Sequence, residues 1–436
     1  MRGRRLAAAV TALALSACAP RPHAAPPGDF LLISIDTLRA DHLGCYGYRA
    51  PTTPNLDRFR RDAVLFTSAI AQAPSTLVSH ASIFTSLLPQ QHGAAHGDHI
   101  GLPAAAPTLA EELRRRGART VSFNEGGQVG QEFGLARGFE RYHSTFEYRF
   151  ADVVEQTLRW LGDRAPSSLF LFLHTYEVHH PYKPEPRYLA AIEPQGYSGP
   201  LPKEATYMAN LIDINEGRQT IGPRDLQHVV ATYDAEVRSM DEAFGRLIDD
   251  LKRRGLYDRT LIVFTSDHGE EFGEHGKVGW HSHTLYDELL RVPLLIKYPR
   301  SEHASATVAQ QVRSIDIAPT ALAVLGVPIP PSFRGSDLTP LVLGRPEPIR
   351  FAVSRRDSSA VSSIRMPRWK LFDGRLFDLE RDPKETTDVA REHPDVVEKL
   401  ALREQALVAE RPPLVGKAVE LSEEAKARLR ALGYVQ

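Results

Sequence analysis

Three short segments are apolar almost throughout and then turn abruptly polar: residues 30–35 end at Asp36, residues 168–173 at His174, and residues 260–265 at Ser266-Asp267-His268. A strand with one wet face alternates in character. Runs apolar at nearly every position predict strands buried on both faces of a parallel sheet. Helix signals lie between them. Thr53-Pro54 offers a cap and a first-turn proline for a helix over 55–63, and Thr108 with Glu111 forms a capping box for a helix that stops at Gly117. From Asp225 to Gly255 the apolar residues recur every three or four positions (Leu226, Val229, Val230, Tyr233, Val237, Met240, Phe244, Leu247), the stripe of a helix lying on a sheet. Strands alternating with helices predict an α/β sandwich, in which ligands bind beyond the carboxyl ends of the strands. The polar residues after Ile35, Leu173 and Thr265 are therefore expected to converge.

Charge excludes one class of partner. The 53 Lys and Arg balance 54 Asp and Glu, so the basic excess of a nucleic-acid binder is missing and no nucleic acid is expected. The two cysteines, Cys18 and Cys45, cannot build a disulfide framework or a Cys-based zinc site. Three arginines and an apolar run over 6–17 make a signal peptide of residues 1–18. Its end, Leu15-Ser16-Ala17-Cys18, resembles the bacterial lipobox, which would make Cys18 a lipid attachment site; the alternative is cleavage near Ala17 and release. Residues 19–28 are rich in Pro and Ala and read as a tether. This places the protein in the bacterial cell envelope, on the periplasmic or surface side, with the membrane as a partner through its anchor. A catalytic domain is expected over 29–326. After Leu325-Gly326 the composition shifts to Pro and Gly, opening a C-terminal subdomain over 327–436 with a hairpin at Asp373-Gly374 and helices from Pro394. The irregular stretch 184–222 is a candidate lid.

Four segments carry chemistry. Asp36 stands at a strand tip, where a lone carboxylate is more often a cap than a ligand. Residues 73–82 crowd hydroxyls, among them Thr76, ahead of the apolar Ile83-Phe84, either as caps or as a nucleophile facing a bound anion. Asp267-His268-Gly269 follows a buried strand; both side chains are first-choice ligands for a divalent cation, and Asp36 could complete their site. Histidines cluster after the same strands, His174, His179 and His180, then His275, His281 and His283. Glu177, His179 and His180 are close enough in sequence for two of them to serve one metal or clamp an oxyanion.

These pieces together resemble the sulfatases of the alkaline phosphatase superfamily. The matching stretches are Ile35-Asp36 with Leu43-Gly44-Cys45-Tyr46-Gly47, Thr53-Pro54-Asn55-Leu56-Asp57, Ser79-x-x-Ser82-Ile83-x-Thr85, Ser266-Asp267-His268-Gly269-Glu270, Arg291-Val292-Pro293-Leu294, Asp316-Ile317-Ala318-Pro319-Thr320 and Leu376-Phe377-Asp378-Leu379. The resemblance implies an alkaline phosphatase-like α/β/α sandwich with a mostly parallel central sheet, plus a small C-terminal α/β domain carrying an antiparallel sheet. It implies Asp36, Asp267 and His268 as metal ligands, His179 as the anion-contacting histidine, and His281 or His283 near the place of a family lysine. Sulfatases use a formylglycine made from Cys or Ser in a Cys/Ser-x-Pro-x-Arg sequence. Thr76 falls at that position here, with Val78 for the proline and His80 for the arginine, so formylglycine is not expected.

The expected function is therefore metal-dependent hydrolysis of sulfate or phosphate esters. Thr76 is the expected nucleophile and metal-bound group, with His179, His283 and His80 as catalytic residues and Glu177, His180 and His281 as second-metal or anion contacts. Thr37 replaces a carboxylate and histidines are abundant, which favours Zn or Mn over Ca. The expected substrate is a sulfated or phosphorylated small molecule or glycan. The alternatives are an envelope phosphodiesterase or phosphoryl-headgroup transferase, and a non-catalytic lipoprotein.

Overall fold

The computed structural model describes residues 28–97, 99–145, 149–162, 168–356 and 361–434. The expected signal segment, Cys18 and the tether through residue 27 lie outside them.

The apolar runs are strands. β1 (Asp29–Ile35), β2 (Val64–Ile70), β3 (Arg119–Asn124), β4 (Arg141–Ser144), β5 (Leu169–Thr175) and β6 (Thr260–Ser266) belong to one central sheet. A two-stranded ribbon, β7 (Glu271–Phe272) with β8 (Val278–Trp280), follows β6, and β9 (Arg291–Lys297), β10 (Thr307–Val308) and β11 (Val312–Arg313) return to the sheet. Its order is β10-β2-β9-β6-β1-β5-β3-β4, with β11 also on β2. All pairings are parallel except those of β9 with β2 and β6.

Every residue of β1, β5 and β6 is buried, and alternate side chains enter different cores. Phe30, Leu32, Phe170 and Phe172 pack with Leu77, Ala81 and Phe84 of the Thr76–Thr85 helix and with Leu109 and Leu113. Leu31, Ile33, Leu171 and Leu173 pack on the other face with Val237, Met240, Phe244 and Leu247 of the Pro223–Arg253 helix. The two-residue period of a strand thus explains why the runs had to be apolar at every position.

Three local expectations change. The helix expected over 55–63 is α-helical only over Pro54–Phe59 and tightens to a 3₁₀ turn over Arg60–Asp62. The helix after the hydroxyl cluster starts at Thr76 rather than near Ile83. The irregular stretch 184–222 contains helices at Pro186–Ile192 and Met208–Asn215.

Four antiparallel strands, β12 (Ala352–Arg355), β13 (Ser362–Arg365), β14 (Trp369–Phe372) and β15 (Arg375–Asp378), make the small second sheet. The expected hairpin turn at Asp373-Gly374 is present, with φ of 52° and 73°. The Pro394–Ala409 helix covers this sheet around Val353, Ile364, Leu376 and Leu400. Residues beyond it do not stay with the subdomain: Leu429 and Leu432 enter the main core. Cys45 lies in a 3₁₀ turn, and burial pushes its thiol up to about 12, which suits packing and not nucleophilic work. Among the described residues no helix is long and apolar enough to cross a membrane.

Candidate active site and metal centre

The strand ends do converge. Ser34 of β1 lies in register with His174 of β5, and Ile35 with Ser266 of β6, so Asp36 and Asp267 emerge side by side. The turn after β6 is held closely: Gly269 donates its N–H to Leu289 O at 2.8 Å, and a Cβ at Gly269 would lie 1.9 Å from Glu288 O. Ser266 Oγ–H donates to His268 O at 2.7 Å, fixing the tight turn that carries both ligand candidates. His268 Nδ1 lies 2.9 Å from Gly269 O; a carbonyl only accepts, so Nδ1 carries the proton and Nε2 presents its lone pair to the site. That Nε2 is 3.5 Å from Asp267 Oδ2, 4.0 Å from Asp36 Oδ1 and 3.5 Å from Thr76 Oγ.

Thr76 opens its helix beside them, and its Oγ–H donates to Asp36 Oδ2 at 3.1 Å. Below it, His80 is fully buried with both ring nitrogens engaged: Nδ1 is 2.8 Å from Thr76 O and Nε2 is 3.0 Å from Ser34 Oγ. Burial pushes the His80 ring down to about 4, so it carries no arginine-like charge. His80, expected as a catalytic residue, lies beneath the helix against the Thr76 carbonyl and Ser34 Oγ, with its Nδ1 3.6 Å from Asp267 Oδ2. His174 joins this layer, its ring centroid 4.9 Å from that of His80 and its Nε2 3.3 Å from Asp36 Oδ2.

On the open side His179, His180 and His281 offer nitrogens that could hold one ion. Ring centroids are 4.1 Å apart for His179 and His180, and 4.6 Å apart for His281 and His268. Neither ring nitrogen of His281 has a hydrogen-bond partner among the described residues, and burial followed by the neighbouring histidines holds it well below the usual range. Behind His180 sits Glu270, whose Oε2 is 3.3 Å from His180 Nδ1 and accepts from Tyr182 OH at 3.1 Å. A carboxylate behind an imidazole is the arrangement that orients metal-binding histidines.

Two expected residues are not brought in. Glu177 turns away: it accepts from Phe150 N at 2.9 Å, closing the start of the Phe150–Leu161 helix, and from Ser239 Oγ at 2.5 Å. His283 is exposed and stacks on Trp280, because Ser282 adopts a φ of 71° and parts it from His281. The sequence reading assigned no role to Tyr434, although its hydroxyl is 3.1 Å from Thr76 Oγ. Only the Leu-Gly-Tyr after a final helix could have hinted at it.

The charge balance is unusual. Burial, then the facing Asp267, drives the Asp36 carboxyl well above its usual range. Burial would also raise Asp267, but His268, His80 and His174 outweigh it and hold it low. His268 is in turn raised: burial opposes its charge, and Asp267 and Asp36 prevail. Asp36 Oδ1 and Asp267 Oδ2 are buried with no hydrogen-bond partner among the described residues. Burying two carboxyl oxygens without a hydrogen bond costs several kcal/mol, and a divalent cation between Asp36, Asp267 and His268 would remove that cost. The donor set fits such an ion.

The sulfatase family profile matches residues 29–327, and that of the C-terminal part of N-sulphoglucosamine sulphohydrolase matches residues 273–409. The chain belongs to the sulfatase family. Among relatives of this sulfatase-family chain, the ulvan-active sulfatase of Formosa agariphila is 26% identical over 72% of this chain and 65% of its own. The mouse steryl-sulfatase is 27% identical over 75% and 66%. The chain thus spans about two thirds of the length of these relatives. The multifunctional alkaline phosphatase superfamily protein PehA of Trinickia caryophylli is 27% identical over 72% of this chain and 77% of its own. Among solved structures, the phosphonate monoester hydrolase of Agrobacterium radiobacter aligns with a TM-score of 0.72 at 22% identity over 91% of this chain and 98% of its own. A protein solved with its substrate D-glucosamine-2-N,6-O-disulfate aligns with a TM-score of 0.73 at 20% identity, covering 89% and 99%. These likenesses establish the fold, the alkaline phosphatase-like sandwich with its small antiparallel sheet.

Proposed function

We propose that this sulfatase-family chain is a metal-dependent hydrolase of sulfate or phosphate esters in which Thr76 is the nucleophile. The observation that carries the reading is Thr76 Oγ lying against Asp36 and His268, in a site whose buried carboxylates have histidines as their ion-pair partners. Asp36, Asp267, His268 and Thr76 would hold the ion. Nitrogen donors beside oxygen donors suit Zn or Mn better than Ca. A bound divalent ion would lower the proton affinity of a hydroxyl and draw charge from a sulfuryl or phosphoryl oxygen.

The chain's own residues supply the remainder. Asp36 Oδ2 orients Thr76 Oγ and takes its proton as Oγ bonds to sulfur or phosphorus, while the bond to the ester oxygen breaks in line and the alkoxide leaves to be protonated by solvent. His179 and His281 face the oxygens of the transferred group. A formylglycine hydrate can expel sulfate by collapsing to an aldehyde, but a threonine ester cannot, so water must break the Thr76 ester and regenerate the hydroxyl. His281, with both ring nitrogens unpaired, is placed to receive the proton of that water. Relatives are named for sulfatase and phosphonate monoester hydrolase activities, which supports both sulfate and phosphorus esters as substrates.

Thr76→Ala, assayed beside the wild type on aryl sulfate, aryl phosphate and bis-aryl phosphodiester with added Zn, Mn and Ca, should lose turnover while keeping its metal content. Full activity in that variant would sink the proposal. The N-terminal arginines, apolar run and Cys18 support a lipid-anchored enzyme of the bacterial envelope. Cys18→Ala should then leave the membrane fraction; unchanged membrane association speaks against the anchor.

A further inference from the structure

The Glu423–Ala431 helix is capped by Ser422, whose Oγ accepts from Ala425 N at 3.1 Å, and it is pinned by Leu429 and Leu432 in the main core. Gly433 then turns with a φ of 81°, and a Cβ there would meet Met208 Cε at 2.5 Å. This turn delivers the Tyr434 side chain to the site from 358 residues away in the chain. Its hydroxyl stands 3.1 Å from Thr76 Oγ and 2.9 Å from His179 Nε2. Its ring meets His96 edge-on at 4.9 Å and His281 edge-on at 5.9 Å.

The proton positions follow from the acceptors. His179 Nδ1 is 2.6 Å from His180 O, so Nδ1 carries the ring proton. Nε2 of the neutral ring is then an acceptor, and the Tyr434 hydroxyl donates to it. A tyrosine hydroxyl has one rotatable proton. Once an anion lies between Thr76 and His179, that proton can turn to an anion oxygen. The Tyr434 hydroxyl is thus one hydrogen bond from the anion-contacting ring and 3.1 Å from the attacking oxygen, within reach of the oxygens of a group held beside both.

We infer that Tyr434 is a catalytic residue of this site, donating a hydrogen bond to the sulfuryl or phosphoryl oxygens as the group transfers to Thr76, and walling the pocket with its ring against His96 and His281. The inference rests on the Thr76 reading. Its anchorage by Leu429 and Leu432 argues against a loose plug, since the ring is held by residues that belong to the core.

The test uses metal-loaded full-length protein. Tyr434→Phe removes the hydroxyl and keeps the ring, so the melting temperature should stay at the wild-type value. We expect kcat/KM for aryl sulfate and aryl phosphate to fall on the order of 10²-fold, and inorganic phosphate, titrated calorimetrically, to bind on the order of tenfold more weakly. Wild-type kcat/KM and phosphate affinity in Tyr434→Phe overturn the inference, as does a gain in activity, the mark of an inhibitory plug. Thr76→Ala separates the two claims. If it retains turnover, the nucleophile reading fails; if it is inactive while Tyr434→Phe behaves as wild type, only the role of Tyr434 fails.

Discussion

The acidic residues buried at the strand ends and those buried where the small sheet meets the main domain are neutralised in opposite ways. At the joint, Asp287 faces Arg365 of β13 at 2.9 Å and Lys370 of β14 at 3.0 Å, and Lys370 also reaches Glu385 at 2.7 Å. Asp287 N donates to Glu385 Oε2 at 2.6 Å. Burial alone would raise the Asp287 carboxyl, yet Arg365 and Lys370 hold it far below its usual range. Burial pushes Glu385 up to about 7; Lys370 opposes the rise and the charge of Asp287 adds to it. At the strand ends the ion-pair partners of Asp36 and Asp267 are histidines, Asp267 Oδ1 accepts from the N–H of His268 at 3.0 Å, and one oxygen of each carboxyl has no hydrogen-bond partner among the described residues. The joint carries its own cations and is structural. The site meets its carboxylates with histidines instead, a donor set that could hold a metal ion.

The comparison can be broken by neutralising one carboxylate in each cluster. The largest effect is expected from Asp267→Asn, which should lower kcat/KM by at least ~10³-fold, several kcal/mol of transition-state stabilisation, and abolish the stabilisation that added metal gives the wild type. The smaller and opposite effect is expected from Asp287→Asn, a loss of about 3 kcal/mol or more in denaturant unfolding, with kcat/KM per folded molecule unchanged. Its pH dependence follows from the sign of the shift. A depressed carboxyl contributes stability above its unfolded value of ~3.9 and loses it as pH falls through the lower folded value. The deficit of Asp287→Asn should therefore be full from pH 5 to 8 and shrink only in stronger acid.

Much of this architecture is legible in the sequence because burial on both faces leaves a continuous signature. Residues 30–35 and 260–265 could be strands of one sheet and little else, and their polar ends had to meet. What did not show is which way a turn points. Glu177 and His179 are two residues apart, yet one closes the start of a helix and the other meets the Tyr434 hydroxyl. His281 and His283 part because Ser282 takes a left-handed conformation that nothing in Trp280-His281-Ser282-His283 announces. The supporting layer of Ser34, His80 and His174 depends on strand register, and Tyr434 on a contact that only the folded chain makes.

The claim that the strand-end cluster is built around a divalent cation is tested most directly by melting chelated wild-type protein during titration with Zn, Mn and Ca. The account predicts saturable stabilisation by at least one of them, reaching about 2.7 kcal/mol at a hundredfold excess over Kd, absent in Asp267→Asn and retained in Asp287→Asn. No stabilisation of the wild type by any of the three ions, or equal stabilisation of Asp267→Asn, would contradict it.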